Sequence, residues 1–412
     1  MNSYLKLLLT SYILMLLPQV LTATVLGRGK ITILYFACYL ISSGLLLLYV
    51  FKRKVKVSKK DFLLFICYVI ILSATFISNI FLNIDTQFND FADFIIKILN
   101  ILIYYCFVPK NEIIKDEDLK RFFSYIVLIG CLSCIYNIVV NFSVIKNFYK
   151  ITNSYTVNLC GFFANRNTYG QFLFICILSN LYLLKNNDGE FDKKYVIVLF
   201  VLLINLIFTM SRGSLVATLI LLYFYFYKSS KNKTKMVITT LLTILFICVI
   251  ALSNSKLLDF INNNFIRSSV GTTGRSSLWK IGLSTASSNF LNGIGYYTAL
   301  NLTGRSQFHS FFVDTITESG IIGLLFKVGL IYSVYLKIRQ ANRQNESNYY
   351  YLMKSAFISL LFIAIIESIN FFLLGFTENQ ITIFFVTLPL LLIQKNENMI
   401  ESSNVYNENI SK

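Results

Sequence analysis

"YLKLLLTSYILMLLPQVLTATVL", residues 4–26, is the stretch on which the fold turns. At the head of a chain it resembles a secretion signal. Its apolar part is longer than the core of such a signal, and further apolar blocks follow, so it reads as a retained helix. The chain is 56% hydrophobic and only 14% charged, little more than half the charge of an ordinary soluble domain. Mean hydropathy is +0.64. The apolar residues come in blocks of roughly 20 and not at the spacing of one helix face, long enough to cross a hydrocarbon core of about 30 Å. The fold class is therefore all-α, a polytopic membrane protein. Spans are expected near 4–26, 31–51, 61–82, 91–108, 122–145, 162–184, 195–210, 213–227, 236–252, 310–336, 352–374 and 381–394. Residues 1–395 form one transmembrane domain, and 396–412 are a polar tail, expected to be disordered.

A net charge of +17 would suit a nucleic-acid binder, but the positions of the charges exclude that reading. Basic residues cluster in alternate loops. "KRKVKVSKK" (52–60) is strongly basic, whereas "NIDTQFND" (83–90) has no base; "KIRQANRQNES" (337–347) is basic, whereas "GFTENQ" (375–380) is not. Such alternation sets orientation in a membrane. It fits about twelve spans with both termini cytoplasmic in a plasma membrane. Arg28 and Lys30, in a short outer turn, break the rule. The eight cysteines fall almost wholly inside apolar blocks, and the Cys131–Cys134 C-x-x-C pair lacks a second pair. They read as small packing residues, with no disulfide framework and no zinc.

One segment breaks the regularity. Residues 253–309, between spans nine and ten, form a large outer loop, and loops of that size are usually functional. Within it "TGRSSLWKIGLSTASSNFLNGIG" (273–295) reads as a short amphipathic helix on the membrane surface. Leu278, Ile281 and Phe290 share its apolar face, Trp279 sits at the interface, and Gly293 and Gly295 end it. The outer side gathers cations and one base. Arg212 stands in "TMSRGSL" (209–215), Arg275 and Arg305 lie in the large loop, and His309 is the sole histidine. "GFFANRNTYG" (161–170) adds Asn165, Arg166 and Asn167. Singly, each has a bland reading as a snorkelling or solvated group. Together they answer an acidic substrate. Arginine grips phosphate oxygens at two points without losing its charge, and histidine takes a proton near neutral pH. Asp314 and Glu318 follow His309 at offsets of five and nine, neither beside it on an ideal helix, so Glu318 reads as structural or capping. Asp93, Lys97 and Glu367 are the main charged groups within spans, too few to favour a transport path.

"GFFANRNTYG", the "SRG" after an apolar span, "GRSSLW…GIG", and His309 leading into "ESGIIG" resemble the O-antigen ligase and polymerase superfamily. The resemblance covers about residues 160–325 and rests on the order of short motifs. One departure is His309-Ser310, where many members have His-Asn. The resemblance implies a GT-C-like membrane glycosyltransferase acting on undecaprenyl-diphosphate-linked oligosaccharides at the outer face, without metal or other cofactor. It places the essential arginines at Arg212 and Arg275 and the essential histidine at His309. It implies membrane lipids, and a chain-length regulator and a flippase, as partners. Composition rich in Lys, Asn, Ile, Tyr and Phe points to a cell without lipid A. A capsule or exopolysaccharide repeat-unit polymerase is thus expected ahead of a ligase, and a lipid-linked oligosaccharide flippase after both.

Overall fold

The computed structural model describes residues 1–21, 31–81, 88–109, 114–151, 157, 159–184, 191–266, 275–295, 298–304, 307–345, 348–367 and 376–392. Among these the chain is helical, with no β-strand. In order the helices are α1 (Ser3–Leu21), α2 (Ile31–Arg53), α3 (Lys59–Phe81), α4 (Phe88–Ile101), α5 (Asp116–Val140) and α6 (Phe142–Lys146). Next come α7 (Arg166–Leu183), α8 (Lys193–Thr209), α9 (Arg212–Ser229), α10 (Lys233–Ser253) and α11 (Ser255–Ile261). The last are α12 (Arg275–Ser288), α13 (Thr298–Thr303), α14 (Phe311–Asn345), α15 (Asn348–Ile366) and α16 (Phe376–Thr382). Each apolar block of the sequence falls on a helix. By length and composition Ser3–Leu21, Ile33–Arg53, Lys59–Ser78, Asp116–Val140 and Phe311–Ala341 suffice to cross a membrane. Phe94–Cys106, Tyr349–Ile365 and Glu378–Leu392 are shorter apolar helices. Arg28, Lys30 and the tail 396–412 lie outside the described residues.

The outer face of α5 shows what solvent the bundle is built for. Leu128, Leu132, Ile135 and Val139 are exposed, whereas the inward positions include Gly130, Ser133 and Asn137. A helix in water does the reverse. In lipid, apolar residues face out, and small or polar ones let helices approach and bond. Helix α7 is buried on every side from Phe172 to Leu183 and forms the centre, packed by α5, α8, α9 and α15.

Two glycines shape one end of the bundle. Gly161 has φ +56°, and a Cβ there would stand 2.6 Å from the Ser133 hydroxyl, so only glycine turns here. Its N–H donates to Asn137 Oδ1 at 3.2 Å, and Asn137 in turn donates to Asn205 Oδ1 at 3.2 Å; both asparagines are wholly buried. This network fixes the turn that starts α7 at Arg166, four residues later than the sequence suggests.

The second is Gly320, with φ +64° and ψ −169°, which breaks α14 into 311–319 and 321–345. A break leaves backbone groups unpaired, and in a membrane they must find partners. The segment 290–295 supplies them. Ile294 and Gly295 donate to the carbonyls of Thr317 and Glu318, each at 2.9 Å, and Ile321 donates to the carbonyl of Phe290 at 2.8 Å. The glycine break thus seats the segment 290–295 against α14.

Helix α12 is shorter than expected, ending at Ser288, and uses another face. Leu278, Gly282 and Ala286 are buried, while Ile281 and Phe290 are exposed. Gly282 sets this face, because a Cβ there would stand 2.5 Å from Val313. Trp279 joins the same packing. Half-buried, it packs with Leu278, Ala299, Phe308 and Val313.

Candidate functional site

Glu367 follows the last turn of α15 and is the hub of this end of the bundle. Its Oε1 accepts from Arg275 Nη2 at 2.7 Å and from Asn167 Nδ2 at 3.3 Å. Its Oε2 faces His309 Nδ1 at 3.8 Å, an ion-pair distance beyond a normal hydrogen bond. Its main-chain carbonyl accepts from Phe311 N–H at 3.3 Å, one of the donors left over at the start of α14. Only 13% of the side chain is exposed.

His309 is fastened on both sides. Its backbone is left-handed, with φ 57°, a strained choice for a residue with a Cβ. The Trp279 indole N–H donates to the Phe308 carbonyl at 2.9 Å. Asp314 reaches back from the first turn of α14 and accepts from the N–H groups of Phe308 at 2.7 Å and Ser310 at 3.3 Å. As the offset of five implies, Asp314 does not sit on the imidazole. It pins the backbone either side of it.

Helix starts gather around this hub. Arg275 is the first residue of α12, and Asn167 the second of α7. Asn165, exposed, caps α7 by accepting from Asn167 N–H at 2.7 Å, so it serves the helix, and the half-buried Arg166 opens it. Helix α9 joins them. A Cβ on Gly170 would stand 2.8 Å from the Ser214 hydroxyl, so the first turns of α7 and α9 touch. Gly170 lies only about 4.5 Å of helix rise beyond Asn167, which puts Arg212, first in α9, at the same end. There Arg212 Nη1 donates to the Phe265 carbonyl at 3.4 Å. Helices α7, α9 and α12 thus each begin with an arginine, and α14 begins beside His309. Helix N-termini carry partial positive charge and spare N–H groups, so the end suits an anion.

The structure therefore brings His309, Arg275 and Asn167 together, with Arg166 and Arg212 alongside. Glu318 is not among them. It lies at the far end of the half-helix 311–319, where its carbonyl accepts from Gly295, in keeping with a structural role. Arg305 lies outside the described residues, as does the side chain of Asp93. Glu367, weighed from sequence only as a transport group, belongs to this site. Its signal was an acid in an apolar run, "LLFIAIIESINFFLL" (360–374), which demands a cationic partner.

Residues 197–328 match the family model for O-antigen ligase. The match supports the superfamily resemblance read from the motifs. The O-antigen ligase segment holds Arg212, Arg275, Arg305, His309 and Glu318, while Asn167 and Glu367 lie outside it. No curated protein matches the chain. The match and the apolar helices together support a membrane enzyme of the O-antigen ligase and polymerase type.

Proposed function

We propose that this enzyme polymerises undecaprenyl-diphosphate-linked oligosaccharide repeat units into a capsular or exopolysaccharide at the outer face of the plasma membrane, with no metal. The carrying observation is the hub at Glu367. It joins the histidine to a phosphate-gripping arginine at a place where several helices start. Arg275 and Arg212, with Arg305, hold the donor diphosphate. As the bond from the sugar's anomeric carbon to the phosphate oxygen breaks, that oxygen gains charge, and fixed cations and helix N-termini in a water-poor site stabilise it. His309 turns Nδ1 toward Glu367, which leaves Nε2 for the acceptor. Nε2 takes the proton of the acceptor hydroxyl, whose oxygen forms the new glycosidic bond, and undecaprenyl diphosphate leaves. Asp314 and Trp279 keep the imidazole in place. The large outer loop and about twelve spans, with both termini cytoplasmic, complete the arrangement.

The matched family's description favours a second reading, ligation, in which the same groups move finished glycan to a different acceptor. Purified protein in lipid nanodiscs, given lipid-linked repeat units alone, separates the two: a polymerase lengthens them and a ligase does not. His309→Ala is expected to slow turnover at least roughly 10²-fold, the lower end for loss of a general base. Turnover at the parental rate would make His309 a surface residue and end the mechanism.

A further inference from the structure

The hub contains a conflict. Arg275 is the residue expected to grip the donor, yet here its guanidinium is spent on Glu367 at 2.7 Å. His309, which needs Glu367 to fix its ring, stands 3.8 Å away, outside hydrogen-bonding range. The carboxylate thus holds Arg275 and Asn167 through Oε1, while Oε2 stops short of the histidine. A diphosphate arriving at Arg275 offers more charge and more acceptor oxygens than a single carboxylate, and competes for the same planar donors.

We propose that donor binding passes Glu367 from Arg275 to His309, so that the base is completed only when the diphosphate is in place. This deepens the reading above and rests on it. With Arg275 turned to the diphosphate, Glu367 Oε2 closes on Nδ1 and accepts its proton in a hydrogen bond. That bond fixes the Nδ1–H tautomer, leaves the Nε2 lone pair facing the acceptor, and stabilises the imidazolium once the acceptor proton arrives. The exchange needs little movement. Asn167 already holds Oε1, and the Glu367 main chain is anchored to Phe311 and Ile363. Glu367 acts through His309 and is a positioning residue.

The exchange has a signature that a structural carboxylate lacks. Glu367→Gln keeps the shape but loosens the hold on Arg275, because a neutral amide oxygen attracts a guanidinium less strongly than a carboxylate does. Full-length protein in nanodiscs is titrated with undecaprenyl diphosphate, and turnover is measured in parallel. The variant is expected to bind the diphosphate about five- to tenfold more tightly while turning over more slowly. Arg275→Ala in the variant background is expected to erase the gain. Equal or weaker binding by folded Glu367→Gln overturns the exchange. Binding that ignores Arg275 altogether overturns the diphosphate reading, and the exchange with it. Should the variant not fold, the parental protein decides. Its only histidine gives a single set of imidazole ¹⁵N signals, and undecaprenyl diphosphate is expected to drive them to the Nδ1–H tautomer. An unchanged tautomer with the ligand bound overturns the proposal.

Discussion

Trp279→Phe removes one N–H and leaves an aromatic ring in place, so it isolates the bond that holds the carbonyl ahead of His309. Phe308 is 1% exposed, and its carbonyl accepts from Trp279 at 2.9 Å. Loss of the donor forfeits a hydrogen bond and leaves a buried carbonyl unpaired, together about 1–3 kcal/mol. The left-handed backbone of His309 costs about 1–2 kcal/mol, so the lost bond is as large as the strain it opposes. Asp314 still holds the N–H groups of Phe308 and Ser310, which keeps the segment folded. The share of molecules with the imidazole in its working position is then expected to fall by about 5- to 150-fold. That loss appears in kcat for lipid-linked repeat units, with KM for the donor little changed, because Arg275 and Arg212 are untouched. Diethyl pyrocarbonate offers a second readout free of activity, since the chain's only histidine is its target. Its reaction rate with His309 should change in the variant. Parental kcat and a parental modification rate in folded Trp279→Phe would refute the idea that this bond positions the base.

Two further outcomes test the surroundings. Arg212→Lys keeps the charge at the start of α9 but loses the planar two-point grip, so polymer output is expected to fall sharply in protein that remains folded in the membrane; normal output would reduce Arg212 to its contact with the Phe265 carbonyl. Gly320→Ala places a Cβ 2.1 Å from the Leu291 carbonyl oxygen on a backbone with φ +64°, and is expected to destabilise the protein by about 2–4 kcal/mol; an unshifted melting temperature in nanodiscs would mean that 290–295 does not seat in the break.

The helices were legible because lipid makes the pattern simple. A segment in a bilayer must satisfy its own backbone and be apolar on its outward side, so the blocks in the sequence map onto helices without any periodicity. What the blocks miss is set by single contacts. Asn137 and Asn205 are two polar residues in apolar blocks, and only the fold shows that they meet and fix the Gly161 turn. The face of α12 was misread for a related reason. Leu278, Ile281 and Phe290 made the best apolar stripe, but the helix packs where it can come closest, and Gly282 permits that on the side of Val313 and Phe308. A stripe of small residues outranks one of large residues when backbones must approach.

The site was half legible, and the missing half is a carboxylate. The arginines and His309 announced themselves, because cations and a lone base at the outer ends of apolar helices cost too much to lack a purpose. Glu367 stands 58 residues after His309, with most of two helices between. No local spacing joins the two, and the nearer acids drew attention first. Yet Asp314 is already engaged by two backbone N–H groups, and Glu318 lies at the far end of the half-helix 311–319. Where many superfamily members have Asn after the histidine this chain has Ser310, and Glu367 is the carboxylate that faces the His309 ring, at 3.8 Å. An acid in an apolar run must meet a cation. The cations of the outer end were already identified from the sequence, so Glu367 could have been assigned to them by elimination. What elimination could not supply is the competition, in which the same oxygen-rich group lies 2.7 Å from the arginine and 3.8 Å from the base. That inequality is a matter of ångströms, and it is what turns a static charge cluster into a candidate for substrate-timed catalysis.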